Sequence, residues 1–278
     1  MGAISGLDDY VNRVTGGASG NPESVWFFDN NTQNGVAAAA TVAGRMSSLW
    51  TYDGVPSGGV VPTSVVAPDS TTPGALKQTN APGGAQKWMI GATVTANVAG
   101  TLILYDRLLH IGGLSGTVTT AQTVGGALTR NTGGVGNQIW VEIYTAIGST
   151  ATTVTASYTN QGGTSGRTSQ ATAIGGTGLA EATRIIPLSL AQGDYGVQAV
   201  ASVTVLATTG TAGNFGITIA RPILQIPVGV LGVGWIRDLV LNEPGILPID
   251  TSACLTWAFL ASTTTAPIIM GSTHFVDA

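Results

Sequence analysis

A chain of 278 residues, 44% of them hydrophobic, can bury a large core, so disorder for want of apolar groups is excluded. Only 9% of the residues are charged, against about 25% in an average soluble domain; mean hydropathy is +0.32. The net charge is −4 and the basic residues stand singly, so no basic track exists to follow a phosphate backbone, and nucleic acid is not an expected partner.

A free monomer with so little charge would be poorly soluble. That predicts a surface covered by other subunits, with self-association into a trimer or a larger homo-oligomer. Cys254 is the only cysteine, which excludes an internal disulfide and a cysteine-cluster metal site and fits assembly in a reducing cytoplasm.

In chain order, Ile4, Leu7, Val11 and Val14 fall at helical spacing, and Gly16-Gly17 stops the turn. This short helix either packs on its own domain or docks on a neighbour, which makes Leu7 and Val11 candidate interface residues. The first ten residues lack the basic head and apolar run of a signal peptide. An aromatic cluster follows at residues 25–28, and the alanine run of residues 36–50 fits either helix or buried strand, with helix the favoured reading. Prolines 56, 62, 68, 73 and 82 then break a Gly/Ser/Thr/Val string, so residues 54–84 should run extended as an arm ordered by contact with another subunit.

Strands are expected at residues 87–98, 101–105, 184–190, 196–206, 215–221, 254–260 and 268–275. Between them, residues 139–144 alternate Ile139, Val141, Ile143 against Trp140, Glu142, Tyr144, and residues 152–160 alternate Val154, Ala156, Tyr158 against threonine and serine, which predicts a paired hairpin. Regular short strands separated by Gly/Thr turns describe a mainly β protein, an antiparallel sandwich or barrel; the favoured form is a jelly-roll-like sandwich with extended N- and C-terminal arms and a short N-terminal helix. The expected division is residues 1–84 as helix and proline-rich arm, 85–225 as the β domain, and 226–278 as an extended segment with closing strands. The most apolar window, residues 223–236, spans about 14 residues and is broken by Pro227, short of the roughly 20 that a spanning helix requires. No membrane association is expected, and Trp235 in this window is a further candidate interface residue.

Groups that could do chemistry are sparse. Asp106 and His110 lie four apart, a spacing that puts them on one side of either a helix or a strand, yet no nucleophile elbow accompanies them; a structural Asp106/Arg107 pair at a strand end is the expected alternative. The histidines and the cysteine lack metal-ligand spacing, the glycines at 229, 232 and 234 miss the dinucleotide fingerprint, and no cofactor is expected. Trp140, Tyr144 and Tyr158 could form a sugar platform on exposed strand faces, or fill the space between sheets or subunits.

The phrases YDRLLHIGGLSGTVTTAQTVGG and IWVEIYTAIGSTATTVTASYTNQGGTSGR resemble virion structural proteins of tailed bacteriophages, over roughly residues 87–227. The resemblance implies a non-enzymatic component of the particle, assembled in the bacterial cytoplasm, and it carries over no active-site residue. Two functions follow as expectations. One is a capsid-associated decoration, cement or minor head protein that bridges subunits of the major capsid protein. The other is a tail or fibre adhesin binding host glycan, with a ring-forming tail or connector role beside it.

Overall fold

The computed structural model describes residues 6–14, 23–30, 41–78, 85–240 and 247–277. Among these residues one helix, α1 (Leu7–Val14), is followed by sixteen strands. The first eight are β1 (Ser24–Asp29), β2 (Met46–Ser48), β3 (Lys87–Ala96), β4 (Gly100–Leu114), β5 (Gln122–Thr123), β6 (Gln138–Thr145), β7 (Thr152–Asn160) and β8 (Arg167–Thr168). The remainder are β9 (Thr172–Ile174), β10 (Arg184–Leu188), β11 (Val197–Val205), β12 (Asn214–Val228), β13 (Trp235–Asp238), β14 (Leu247–Ile249), β15 (Leu255–Ala261) and β16 (Ile269–Asp277). The fold is mainly β and antiparallel, as the alternating pattern predicts.

The strands form three sheets. Six of them close a barrel in the order β10-β2-β15-β4-β12-β6. One flanking sheet runs β1-β16-β3-β13, with β14 also on β3; the other runs β5-β11-β7-β8, with β9 also on β7. The barrel interior can be read from one apolar cluster that draws a single residue from every barrel strand: Met46, Tyr105, Trp140, Ile185, Ala220 and Ala258. Alternate residues on the same strands face outward, because successive side chains point to opposite faces.

Those outward faces bury the two flanking sheets. Ile139, Val141 and Ile143 of β6 join Val154, Ala156 and Tyr158 of β7 and Val200 and Val203 of β11 in one core. On the other side Leu102, Leu104, Trp257 and Phe259 pack against Met89, Val94 and Phe275. Each fully buried side chain of this size contributes about 1.5–3 kcal/mol relative to exposure. The long strands β4 and β12 serve both cores: Leu109 and Ile217 sit in the first, Leu104 and Ile226 in the second.

The expected hairpin is corrected here. β6 pairs with β10 and β12, whereas β7 pairs with β8, β9 and β11, so the two runs lie in different sheets and meet face to face. β6 is buried on both faces, inside the barrel and beneath the flanking sheet, which is why Trp140 and Glu142 are as hidden as their apolar neighbours. The helix suggested by the alanine run does not form over its described part, residues 41–50, where β2 joins the barrel; residues 36–40 lie outside the described residues.

The proline-rich stretch runs extended, but over its described part it is seated on its own barrel. Val66 exchanges both backbone hydrogen bonds with His110, at 2.9 and 2.8 Å, and the Leu76 amide donates to the Leu255 carbonyl at 2.8 Å. Barrel strands come from all three expected divisions of the chain, since β2 precedes residue 84 and β15 follows residue 226.

Candidate functional site

An ion pair, Arg107 and Glu142, lies inside the barrel. Glu142 projects inward between Trp140 and Tyr144, and its Oε2 accepts hydrogen bonds from Arg107 Nη2 at 2.5 Å and Thr218 Oγ1 at 2.7 Å. Arg107 also donates to the Tyr105 hydroxyl at 3.1 Å, the Tyr144 hydroxyl at 2.9 Å and His110 Nδ1 at 2.7 Å. Its guanidinium lies 4.5 Å from the centroid of the Trp50 ring, against which the His110 ring stands edge-on at 5.4 Å. Trp50 itself donates from Nε1 to the Val60 carbonyl.

Glycines make room for this cluster. A Cβ at Gly216 would stand 1.7 Å from the Ile111 carbonyl oxygen and 2.9 Å from the Tyr144 ring, so the aromatic side chain lies where any larger residue would stand.

The electrostatics follow from burial and pairing. Burial alone would raise the Glu142 carboxyl, but the Arg107 charge outweighs it and holds Glu142 ionised below its usual range. Burial likewise opposes the charge on Arg107, and Glu142 more than restores it. Burial, seconded by the adjacent Arg107 charge, pushes His110 down to about 3, so the imidazole is neutral and accepts from Arg107. Burial raises Tyr105 and Tyr144 well above the ordinary phenol, and both remain neutral donors and acceptors.

Asp106 takes no part in this cluster. In the β4–β12 pairing Ile219 lies opposite Leu109 and the next residue, Ala220, opposite Arg107, so Leu108 is an extra residue, a bulge. The bulge breaks the two-residue period: His110 turns inward with Arg107, while Asp106 faces away and is held by Arg130 at 2.7 and 3.0 Å and by the Cys254 amide at 2.9 Å. The expectation that Asp106 and His110 share one side of the strand is thereby corrected. So is the expected Asp106/Arg107 pair at a strand end, because both residues lie within β4 and each has a different partner. Cys254 is fully buried, and burial pushes its thiol up to about 12.

Of the candidate interface residues, Trp140 and Tyr158 are 1% exposed and belong to the core of this same chain, and Tyr144 is half-buried against the ion pair. Neither a subunit interface nor an exposed sugar platform can use Trp140 or Tyr158, because the flanking sheet and the barrel already cover them. Trp235 is half-buried against the first flanking sheet's core, while Leu7 and Val11 on α1 are exposed. The sequence reading missed a second polar knot at the far flanking sheet. There Asp194 accepts from Tyr158 Oη, Asn160 Nδ2 and Arg167 Nε, and these bonds hold its carboxyl down to about 2.

No described helix is long and apolar enough to cross a membrane. Among the described residues, no group of three or more His, Cys, Asp or Glu side chains is placed to hold a metal ion.

No protein-family model matches the chain, and no curated protein is similar to it. Among solved structures, the VP2 subviral particle of infectious bursal disease virus aligns over 92% of this chain and 80% of that chain, at 10% identity and a TM-score of 0.18. T=1 particles of the same virus's D431N mutant VP2 align over 93% and 78%, at 9% identity and a TM-score of 0.19. Superposition that loose carries no argument about fold or function.

Proposed function

We propose that this chain is a non-enzymatic structural component of a tailed-bacteriophage virion, a capsid-associated decoration, cement or minor head protein that works through subunit contacts. The observation that carries this reading is where the charge resides. Lys87, Asp106, Arg107, Arg130, Glu142, Arg184 and Asp277 are buried, in a chain with only 9% charged residues. Meanwhile Phe27, Val60, Leu206 and Ile236 are each more than 70% exposed. A surface so depleted of charge favours burial against other subunits over dispersal in water.

The ionisable groups nearest to a catalytic arrangement serve the fold instead. His110 accepts from a permanent cation, and Asp106 is bound bidentately by Arg130. The phage resemblance of residues 87–227 points to the same class of role. The glycan-adhesin reading needs a row of exposed rings, and Trp140 and Tyr158 are committed to the core.

The test is mass spectrometry of gradient-purified particles from the genome that encodes the chain. The expected result is the chain in the particles at many copies. Its presence in the lysate but not in the particles would overturn the proposal.

A further inference from the structure

The first flanking sheet has, at each of its two edges, a stretch of strand with no backbone partner among the described residues, and the two stretches match each other. β1 pairs with β16 through Ser24, Trp26 and Phe28, so the backbone groups of Val25 and Phe27 point away from the sheet, and no described residue pairs with them. At the opposite edge, the Leu239 amide donates to the Ile90 carbonyl, which fixes the alternation along β13 and turns the backbone of Ile236 outward. Ile236 likewise has no described backbone partner. Unpaired strand edges with apolar side chains are templates for another strand.

The side chains agree with the backbone. Phe27, Ser272, Thr93 and Ile236 form one row straight across the four strands. The row lies on the sheet's outer face, since Phe28 and Trp235, the next residues along, pack inward. Its two ends are the exposed ones, Phe27 at 71% and Ile236 at 73%.

We propose that copies of this chain join edge to edge through this sheet, with β1 of one copy pairing antiparallel with β13 of the next and Phe27 opposite Ile236. This deepens the assembly reading above and rests on it. Each neighbouring pair in the sheet is antiparallel, so β1 and β13 run in opposite directions, and a copy rotated about an axis along the strands continues the alternation. In that register Val25 lies opposite Asp238, Phe27 and Ile236 exchange backbone hydrogen bonds, and their side chains pack together on one face. Arg237, whose buried Nε has no described hydrogen-bond partner, falls opposite Trp26.

Pairing of β1 with itself is disfavoured by the same residues. Setting Phe27 against Val25 of a second β1 brings Glu23 beside Asp29, two like charges. It also meets Val55, which already holds the Asp29 backbone in an isolated bridge at 2.8 and 2.7 Å. That clip leaves only Val25 to Phe27 open, a length that the four residues of β13 cover. The contact is head-to-tail, so it builds a ring or an open row rather than a two-fold dimer.

The test uses full-length chains carrying Phe27→Cys or Ile236→Cys, singly and mixed, under mild oxidation. Cys254 is fully buried and leaves the wild-type chain as an unreactive control. The mixture should give at least ten times more disulfide-linked dimer than either variant alone. Equal cross-linking of Phe27→Cys with itself, or no cross-link above wild type in the mixture, would overturn the proposal. As a variant that needs no oxidation, Phe27→Lys should lower the oligomer mass in solution, and an unchanged mass would count against the edge contact. If the chain is found in particles but these cross-links fail, the edge pairing alone falls; if they form but the chain is absent from particles, the virion reading alone falls.

Discussion

Arg107 Nη2 lies 2.5 Å from Glu142 Oε2, and neither side chain is more than 1% exposed. Two strands of the barrel are thereby tied by a charge pair in its interior, with Tyr105, Tyr144, Thr218 and His110 supplying the remaining hydrogen bonds. Removing one partner strands the other charge in a low-dielectric site. Glu142→Gln or Arg107→Met should each destabilise the fold by roughly 3–5 kcal/mol. The double variant Arg107→Met/Glu142→Gln should cost less than the two single losses summed. Denaturant melts measure all of these; single losses below about 1 kcal/mol would mean that water reaches the pair.

Acid should weaken the fold through His110. The group is depressed to about 3 in the folded chain, against about 6.5 when unfolded, so between those values only the unfolded chain binds the proton. Stability is therefore complete above the unfolded value and declines as pH falls toward 3, by roughly 1.4 kcal/mol per pH unit at most. Melting temperature should drop between pH 6.5 and 5 in wild type, and His110→Gln should flatten that limb. A limb of equal slope in both proteins would assign the effect to another group.

Lys87 predicts a rise at the alkaline end. Burial, resisted by the charges of Asp277 and Asp250, lowers its ammonium to about 8, and Nζ donates to Gln78 Oε1 and the Thr251 carbonyl. From pH 8 toward 10 the unfolded chain holds a proton that the folded chain has released. Stability should thus climb by on the order of 2 kcal/mol across that window. Lys87→Met should remove the climb, as read by chemical denaturation at each pH.

The proline-rich stretch should exchange slowly where it is bonded. The amides of Val66 and Leu76 are donors to His110 and Leu255 in the barrel strands, so their protection should approach that of Val141 in the isolated chain. Complete exchange of both within the dead time, with Val141 protected, would restore the reading of this stretch as an arm ordered by partners.

The strands and their antiparallel class were legible in the sequence, because Thr/Val alternation and Gly turns report the pleat directly. What escaped was which strands pair. Residues 139–144 and 152–160 are neighbours in sequence and both alternate, but only the barrel closure sends one to β12 and the other to β11. Glu142 was the visible signal of the interior, since a carboxylate between Trp140 and Tyr144 in an apolar strand implies a buried counter-charge. Its partner Arg107 could not be chosen, because the bulge at Leu108 that turns His110 inward and leaves Asp106 facing away has no mark in the local pattern YDRLLHIGG. Asp194 was likewise hidden, as Tyr158, Asn160 and Arg167 reach it only across the folded sheet.

A chain with only 9% charged residues, several of them buried, and with large apolar side chains left exposed should not remain alone in water. The most direct test is its mass by sedimentation at micromolar concentration, across low and high salt. The account predicts a homo-oligomer of three or more copies, no weaker at high salt because few charges hold it together. A stable monomer at every concentration and salt would contradict it.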